Sequence, residues 1–114
     1  MKISKELLKG STVPLILTLL ARKDMYGYEM AKEIETRSEG ILTFKEGTLY
    51  PILHMLEAEH WVEAYWSEAE GRKRKNYRIT EDGRRQLEEK AREWRLFRSA
   101  VDKVIGGEQA WIRS

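Results

Sequence analysis

Apolar residues in the middle of the chain recur with a helical period. Leu49, Ile52, Leu53 and Leu56 fall at i, i+3, i+4 and i+7, the spacing of one face of an α-helix. They lie within Phe-Lys-Glu-Gly-Thr-Leu-Tyr-Pro-Ile-Leu-His-Met-Leu-Glu-Ala-Glu-His-Trp, residues 44–61. Thr48, Tyr50 and His54 stand between them and project to the opposite side. The pattern predicts a helix with a buried face that anchors it and a polar face that presents hydrogen-bonding groups. Pro51 is tolerable only near a helix start, which puts that start at residues 46–48.

Upstream, residues 2–9 read as a short amphipathic helix with Ile3, Leu7 and Leu8 on one side, ended by Gly10. Ser11 or Thr12 then offers an N-cap, with Pro14 in the first turn of a second helix. Val13, Leu15, Ile16, Leu17, Leu19 and Leu20 follow almost unbroken, so this helix is expected to be buried on most sides. A buried strand is the alternative, but length and caps favour a helix. After the polar turn Arg22-Lys23-Asp24, with Asp24 as the expected cap, residues 25–38 form the next helix. Tyr26, Met30, Ala31 and Ile34 make its apolar face, Gly27 weakens its first turn and Gly40 closes it.

Downstream, the period changes from helical to two. Residues 61–67 (Trp-Val-Glu-Ala-Tyr-Trp-Ser) are rich in β-formers, and residues 76–80 alternate, with Tyr77 and Ile79 on one face. Residues 68–75 between them hold Gly71 and Arg72-Lys73-Arg74-Lys75, the densest basic run in the chain. The expectation is a two-stranded hairpin with a cationic tip. Two helices, a short link and a third helix with a polar outer face make a helix-turn-helix. Followed by that hairpin, the arrangement is a winged helix.

A long final helix follows. Thr80 can cap it, Glu81 and Asp82 suit its positive end, and Gly106-Gly107 stops it after about Ile105. Leu87, Ala91, Trp94, Phe97, Val101 and Val104 succeed one another at steps of four, three, three, four and three, close to a heptad seam. At 1.5 Å per residue such a helix is roughly 37 Å long and overhangs a domain of this size. Its far end would expose a large apolar patch in a monomer, which marks an interface. A homodimer joined through these six residues is the expectation; a helix folded back on its own core is the alternative. The fold class is therefore mainly α (α+β): a winged helix-turn-helix over residues 1–80, then a dimerisation helix and tail over 81–114, as one compact unit. Trp111 fits either a free tail or a second dimer contact.

Composition narrows the function classes. A chain of 114 residues is one domain, with no cysteine for disulfides or thiolate metal sites. His54 and His60 do not suggest a metal cluster, and no cofactor is expected. Residues 1–10 lack the apolar run of a signal peptide, and residues 13–21 are too short to span a membrane. A soluble cytoplasmic protein is expected. The net charge of +2, with 35% charged residues, does not demand a nucleic-acid partner; the location of the basic run is what matters.

Three segments resemble the PadR-like transcriptional regulators. Met25-Tyr26-Gly27-Tyr28-Glu29 is similar to the family's Tyr-Gly-Tyr segment at the start of helix two. Gly47-Thr48-Leu49-Tyr50-Pro51, with Leu53, Leu56 and Glu57, resembles its recognition helix. Arg74, Lys75, Tyr77, Arg78, Thr80 and Gly83 resemble its passage from wing to dimer helix. The length resembles the short subfamily with one C-terminal dimerisation helix. The resemblance implies a dimeric bacterial regulator, in most cases a repressor, on a palindromic operator. Some short members are multidrug sensors with an apolar pore at the dimer interface, and Trp94 stands where their pore tryptophan is expected. The sequence departs from the family at Met55 (often Arg or Lys), His60 (commonly Gly) and Asn76 (usually aromatic).

The candidate DNA contacts are Tyr26, Lys45, Thr48, Tyr50, His54, Arg72, Lys73, Arg74 and Lys75. Thr48, Tyr50 and His54 could read base edges in the major groove or bind phosphate. The plainer alternatives are a packed aromatic for Tyr50, a helix-terminus hydrogen bond for Thr48 and an ordinary surface histidine for His54. Leu7, Trp94 and Phe97 are candidates for an apolar or aromatic effector, or simply pack the dimer. A winged-helix protein–protein module without DNA binding is the competing function, and the basic run argues against it. An enzyme is the weakest reading: no paired carboxylates, no nucleophile with a histidine base and no phosphate-cradling glycine loop can be found.

Overall fold

A computed structural model describes residues 3–106; Trp111 lies outside them. Its elements are α1 (Lys5–Arg22), β1 (Met25–Tyr26), α2 (Gly27–Arg37), α3 (Glu46–Ala58), β2 (Val62–Ala69), β3 (Arg72–Ile79) and α4 (Glu81–Ile105). The three strands form one antiparallel sheet in the order β1-β3-β2. One core joins Ile16, Leu17 and Leu20 of α1, Met30 and Ile34 of α2, Leu49, Leu53 and Leu56 of α3, and Val62, Tyr77 and Ile79 of the sheet. The winged helix-turn-helix and the long last helix are thus as the sequence predicts.

Four local expectations are corrected. The first two predicted helices are one. α1 runs straight through Gly10 and Pro14, and Ser4 takes the N-cap position. The Ser11 and Thr12 hydroxyls donate to the Leu8 carbonyl at 3.0 and 2.8 Å, so they continue a helix instead of starting one. Pro14 deprives only the exposed Gly10 carbonyl of its helical donor, where water can replace it. Burial of Ile16, Leu17, Leu19 and Leu20 outweighs that loss.

Next, residues 25–26 leave the helix and pair with β3, Met25 opposite Tyr77 and Tyr26 opposite Asn76. The wing is a three-stranded sheet as a result. Asp24, the expected cap, instead accepts a 2.6 Å hydrogen bond from the Tyr65 hydroxyl. Tyr26 is the N-cap residue of α2, and its amide donates to the Glu29 carboxylate at 3.2 Å.

The hairpin loop also shortens. β2 and β3 pair from Val62–Ile79 out to Ala69–Arg72, which leaves only Glu70-Gly71 as the turn. Both turn residues have positive φ, 54° and 75°, the conformation of a type I′ turn that matches strand twist. Finally, the basic run is consequently not a tip. Arg72, Lys73, Arg74 and Lys75 are the first half of β3, and their side chains alternate between the two faces of the sheet.

α4 begins as expected: Thr80 caps it by accepting from the Gly83 amide at 3.0 Å. It ends at Gly106, whose φ of 83° is left-handed. Only its first turns touch the core, through Gly83 and Leu87. The rest projects outward, and the molecule is 58 Å long against 29 and 21 Å across.

Candidate nucleic-acid interface

The buried face of α3 is complete: Leu49, Leu53 and Leu56 are each at most 1% exposed. Thr48, Tyr50 and His54 all lie on the exposed side. Lys45 is exposed at the N-cap position of the same helix, and the amides of Thr48 and Leu49 bond back to its carbonyl. The helix therefore presents a polar surface on a rigid base.

Gly27 explains how Tyr50 is held. A Cβ there would meet the Tyr50 hydroxyl and ring carbons at 3.1–3.2 Å. The first turn of α2 thus packs its bare backbone on the tyrosine ring, and the ring's position on α3 is set by α2. That contact, and not helix propensity, accounts for a glycine at this position.

The four cations of β3 have different surroundings. On one face, the Arg74 guanidinium lies 4.6 Å from the centre of the Tyr26 ring. On the other, the Lys75 ammonium is 3.3 Å from the Glu57 carboxylate of α3 and over the Tyr77 ring. Partial burial works against the Lys75 charge, but the neighbouring Glu57 carboxylate favours it, and the ammonium is held above the usual lysine value. Arg72 and Lys73 are exposed and form no ion pair among the described residues. Of the run, these two are the cations at liberty to meet an anion, while Arg74 covers Tyr26 of β1 and Lys75 ties the wing to α3. Tyr26 is half-buried under Arg74 and extends the same surface.

The structure brings the α3 candidates, Tyr26 and the β3 cations to neighbouring elements. The effector candidates lie elsewhere. Trp94 and Phe97 stack with centroids 6.1 Å apart on the projecting half of α4. With Leu7, Val13 and Pro14 of α1 they line a groove of about 360 Å³. A second groove of about 490 Å³ joins Leu7, Leu15, Ile41, Leu42, Ala91 and Trp94. Leu87 turns partly to the chain's own core, whereas Val101 and Val104 are exposed, together with Leu96 and Ile105. Sequence reasoning missed Leu96, Ile105 and Ile41 as members of this apolar surface; the first two fall off the heptad steps that guided the choice of residues.

No helix of the described residues is long and apolar enough to cross a membrane, and none of their acidic or histidine side chains group as metal ligands do. A helix with one buried and one exposed polar face, beside a hairpin with a cationic strand, defines a winged helix-turn-helix protein of the transcription-factor type. Residues 16–89 match the family model described as the transcriptional regulator PadR-like family. The chain belongs to that family and is a transcriptional regulator.

It is similar over 92% of its length, at 36% identity, to an uncharacterised protein of Lysinibacillus sphaericus, of which it covers 97%. A transcriptional regulator from Clostridium thermocellum has a similar fold, with a TM-score of 0.82 and 33% identity over 87% of this chain and 97% of that one. A PadR-like transcriptional regulator from Bacillus cereus gives 0.77 and 30% over 91% of this chain and all 100% of that one.

Proposed function

We propose that the protein is a homodimeric repressor that binds a palindromic operator in double-stranded DNA and releases it on binding a small apolar or aromatic effector. The observation that carries DNA binding is the polar, outward face of α3 together with Arg72 and Lys73, which are exposed on the hairpin packed beside that helix and form no ion pair among the described residues. A major groove admits one helix, and Thr48, Tyr50 and His54 supply donors and acceptors for its base edges or flanking phosphates. Arg72 and Lys73 neutralise phosphates alongside. Such a partner puts the protein in the cytoplasm.

Dimerisation is supported by Trp94, Phe97, Val101 and Val104, which are 38–86% exposed along one long helix. Ala91 borders the groove beside them. Apolar area of this size requires cover in water. A twofold axis through α4 sets two copies of α3 against half-sites about 34 Å apart, one helical turn. Leu7, Trp94 and Phe97 then border the joint, where stacked aromatics suit a planar ligand.

The test is binding to a labelled duplex from the protein's own promoter region, titrated with salt. The expected result is a steep fall of affinity with salt and two chains per duplex. Planar cationic dyes are then added. Quenching of tryptophan emission together with release of DNA supports the effector site. Quenching without release leaves a binding site that does not regulate, and no quenching removes stacking as the mode of binding.

A further inference from the structure

An aromatic of the hairpin, Trp66, has no role in the core, in α4 or in the reading helix. Trp66 is 68% exposed, the most exposed aromatic ring among the described residues. It follows Val62 and Ala64 on the inward face of β2, but the core ends before it does. Opposite it across the ladder stands Lys75, and the next pair outward is Glu68 with Lys73. Trp66, Ser67, Glu68 and Lys73 together line a shallow open depression. This face of the hairpin looks toward α3, because Lys75 from the same face reaches Glu57 on that helix. The indole therefore stands in the angle between hairpin and reading helix, beside two cations and one carboxylate.

We propose that Trp66 packs against the sugar–phosphate backbone that runs between the groove read by α3 and the groove under the wing. The inference rests on the DNA-binding reading above and adds to it a contact that carries no sequence information. Charge and shape favour this occupant. On this face Lys73, which forms no ion pair among the described residues, is complementary to phosphate, deoxyribose offers an apolar edge to an indole, and the indole N–H can donate to a phosphate oxygen. Trp66 and Lys73 would thus act on neighbouring parts of one backbone, the first by excluding water and the second by charge.

The test uses Trp66→Ala and Trp66→Phe in the full chain. Affinity is measured by anisotropy for a genomic duplex selected by the unsubstituted protein and for a random-sequence duplex of equal length, across a salt series. Trp66→Ala should weaken both by about tenfold, as expected for partial loss of one buried aromatic. It should leave the salt slope unchanged, since no phosphate charge is involved. Trp66→Phe should recover part of the loss. Unchanged affinity of Trp66→Ala for both duplexes overturns the proposal and turns this surface toward a protein instead. A loss confined to the selected duplex also overturns it, because the contact would then be reading bases.

A chain keeping Trp66 alone, with Trp61, Trp94 and Trp111 changed to Phe, gives a second measurement that does not depend on Trp66→Ala folding. Its emission should shift on adding unlabelled duplex; no shift at saturation speaks against the contact. If the unsubstituted protein binds neither duplex, the DNA-binding reading itself fails and this contact falls with it.

Discussion

Gly83→Ala is the substitution for which the structure gives the sharpest expectation. Gly83 is buried in the first turn of α4, where its amide donates to Thr80. A Cβ built on it runs into the backbone carbonyl oxygen of Trp61, lies 2.8 Å from Ile79 Cγ1 and 3.0 Å from the Trp61 carbonyl carbon. The carbonyl cannot step aside cheaply, because it accepts the Thr80 amide at 3.0 Å. The Thr80 hydroxyl also donates to the His60 carbonyl at 2.7 Å. This knot joins the end of α3, the base of the wing and the start of α4. Overpacking costs about 1–3 kcal/mol where side chains can yield, and more against backbone. Alanine's helix propensity returns at most about 1 kcal/mol. The net loss is about 2–3 kcal/mol, which lowers the melting temperature by roughly 10 °C or more for a chain of this size.

Gly10→Ala is the matched control. Gly10 also lies inside a helix, but a Cβ there meets nothing within 4 Å. It should raise stability, by up to about 1 kcal/mol. Thermal melts at one protein concentration compare the two, since the proposed dimer would make the midpoint concentration-dependent. Equal shifts, or a Gly83→Ala protein as stable as the unsubstituted one, would refute the knot. If the knot also fixes the angle between α4 and α3, Gly83→Ala should weaken the proposed operator binding even well below its melting point.

Three further outcomes are expected. Lys73→Ala should flatten the dependence of log affinity on log salt by about 1–2 units, if each half-site loses one phosphate contact; an unchanged slope removes Lys73 from the interface. His60→Gly should stabilise the chain by up to about 1 kcal/mol, because His60 holds a φ of 63° where the left-handed region suits glycine; denaturant midpoints that fall would contradict this. Tyr77→Phe should be neutral or stabilising near pH 7, since the Tyr77 hydroxyl is buried without a hydrogen-bond partner among the described residues.

The same phenol sets a pH dependence. Burial pushes it above the usual tyrosine value, with the Lys75 charge opposing. A raised pKa means the folded state holds its proton longer than the unfolded chain does. Stability is therefore full below the ordinary tyrosine range and falls as pH climbs through the folded value. Tyr77→Phe should lose less stability in alkali than the unsubstituted protein, read from denaturant midpoints at stepped pH; an identical alkaline decline would refute it.

The helix α3 was legible because its signal is local: Leu49, Ile52, Leu53 and Leu56 define a face, and Pro51 fixes where the helix can begin. The limits of α4 were legible for the same reason, from Thr80 and Gly106. What escaped sequence reasoning depends on partners distant along the chain. Met25 and Tyr26 become a strand only because β3 lies beside them, and Asp24 leaves its helix for Tyr65, 41 residues away. Gly10 and Pro14 look like a boundary unless the burial of the following turn is known to carry the helix through them. The extent of the hairpin was hidden by the polar residues of its outer half, which Glu70-Gly71 pairs regardless of their low β-propensity. The candidate contacts on α3 were legible as an exposed face. The distinction among the four cations of β3 was not, since it follows from Glu57 and Tyr26 on other elements.

The most direct measurement is sedimentation velocity of the protein alone and with a selected operator duplex at low salt. The expected result is a two-chain species at micromolar concentration that binds one duplex as a dimer. Single chains throughout, with no co-sedimentation with any duplex, would contradict it.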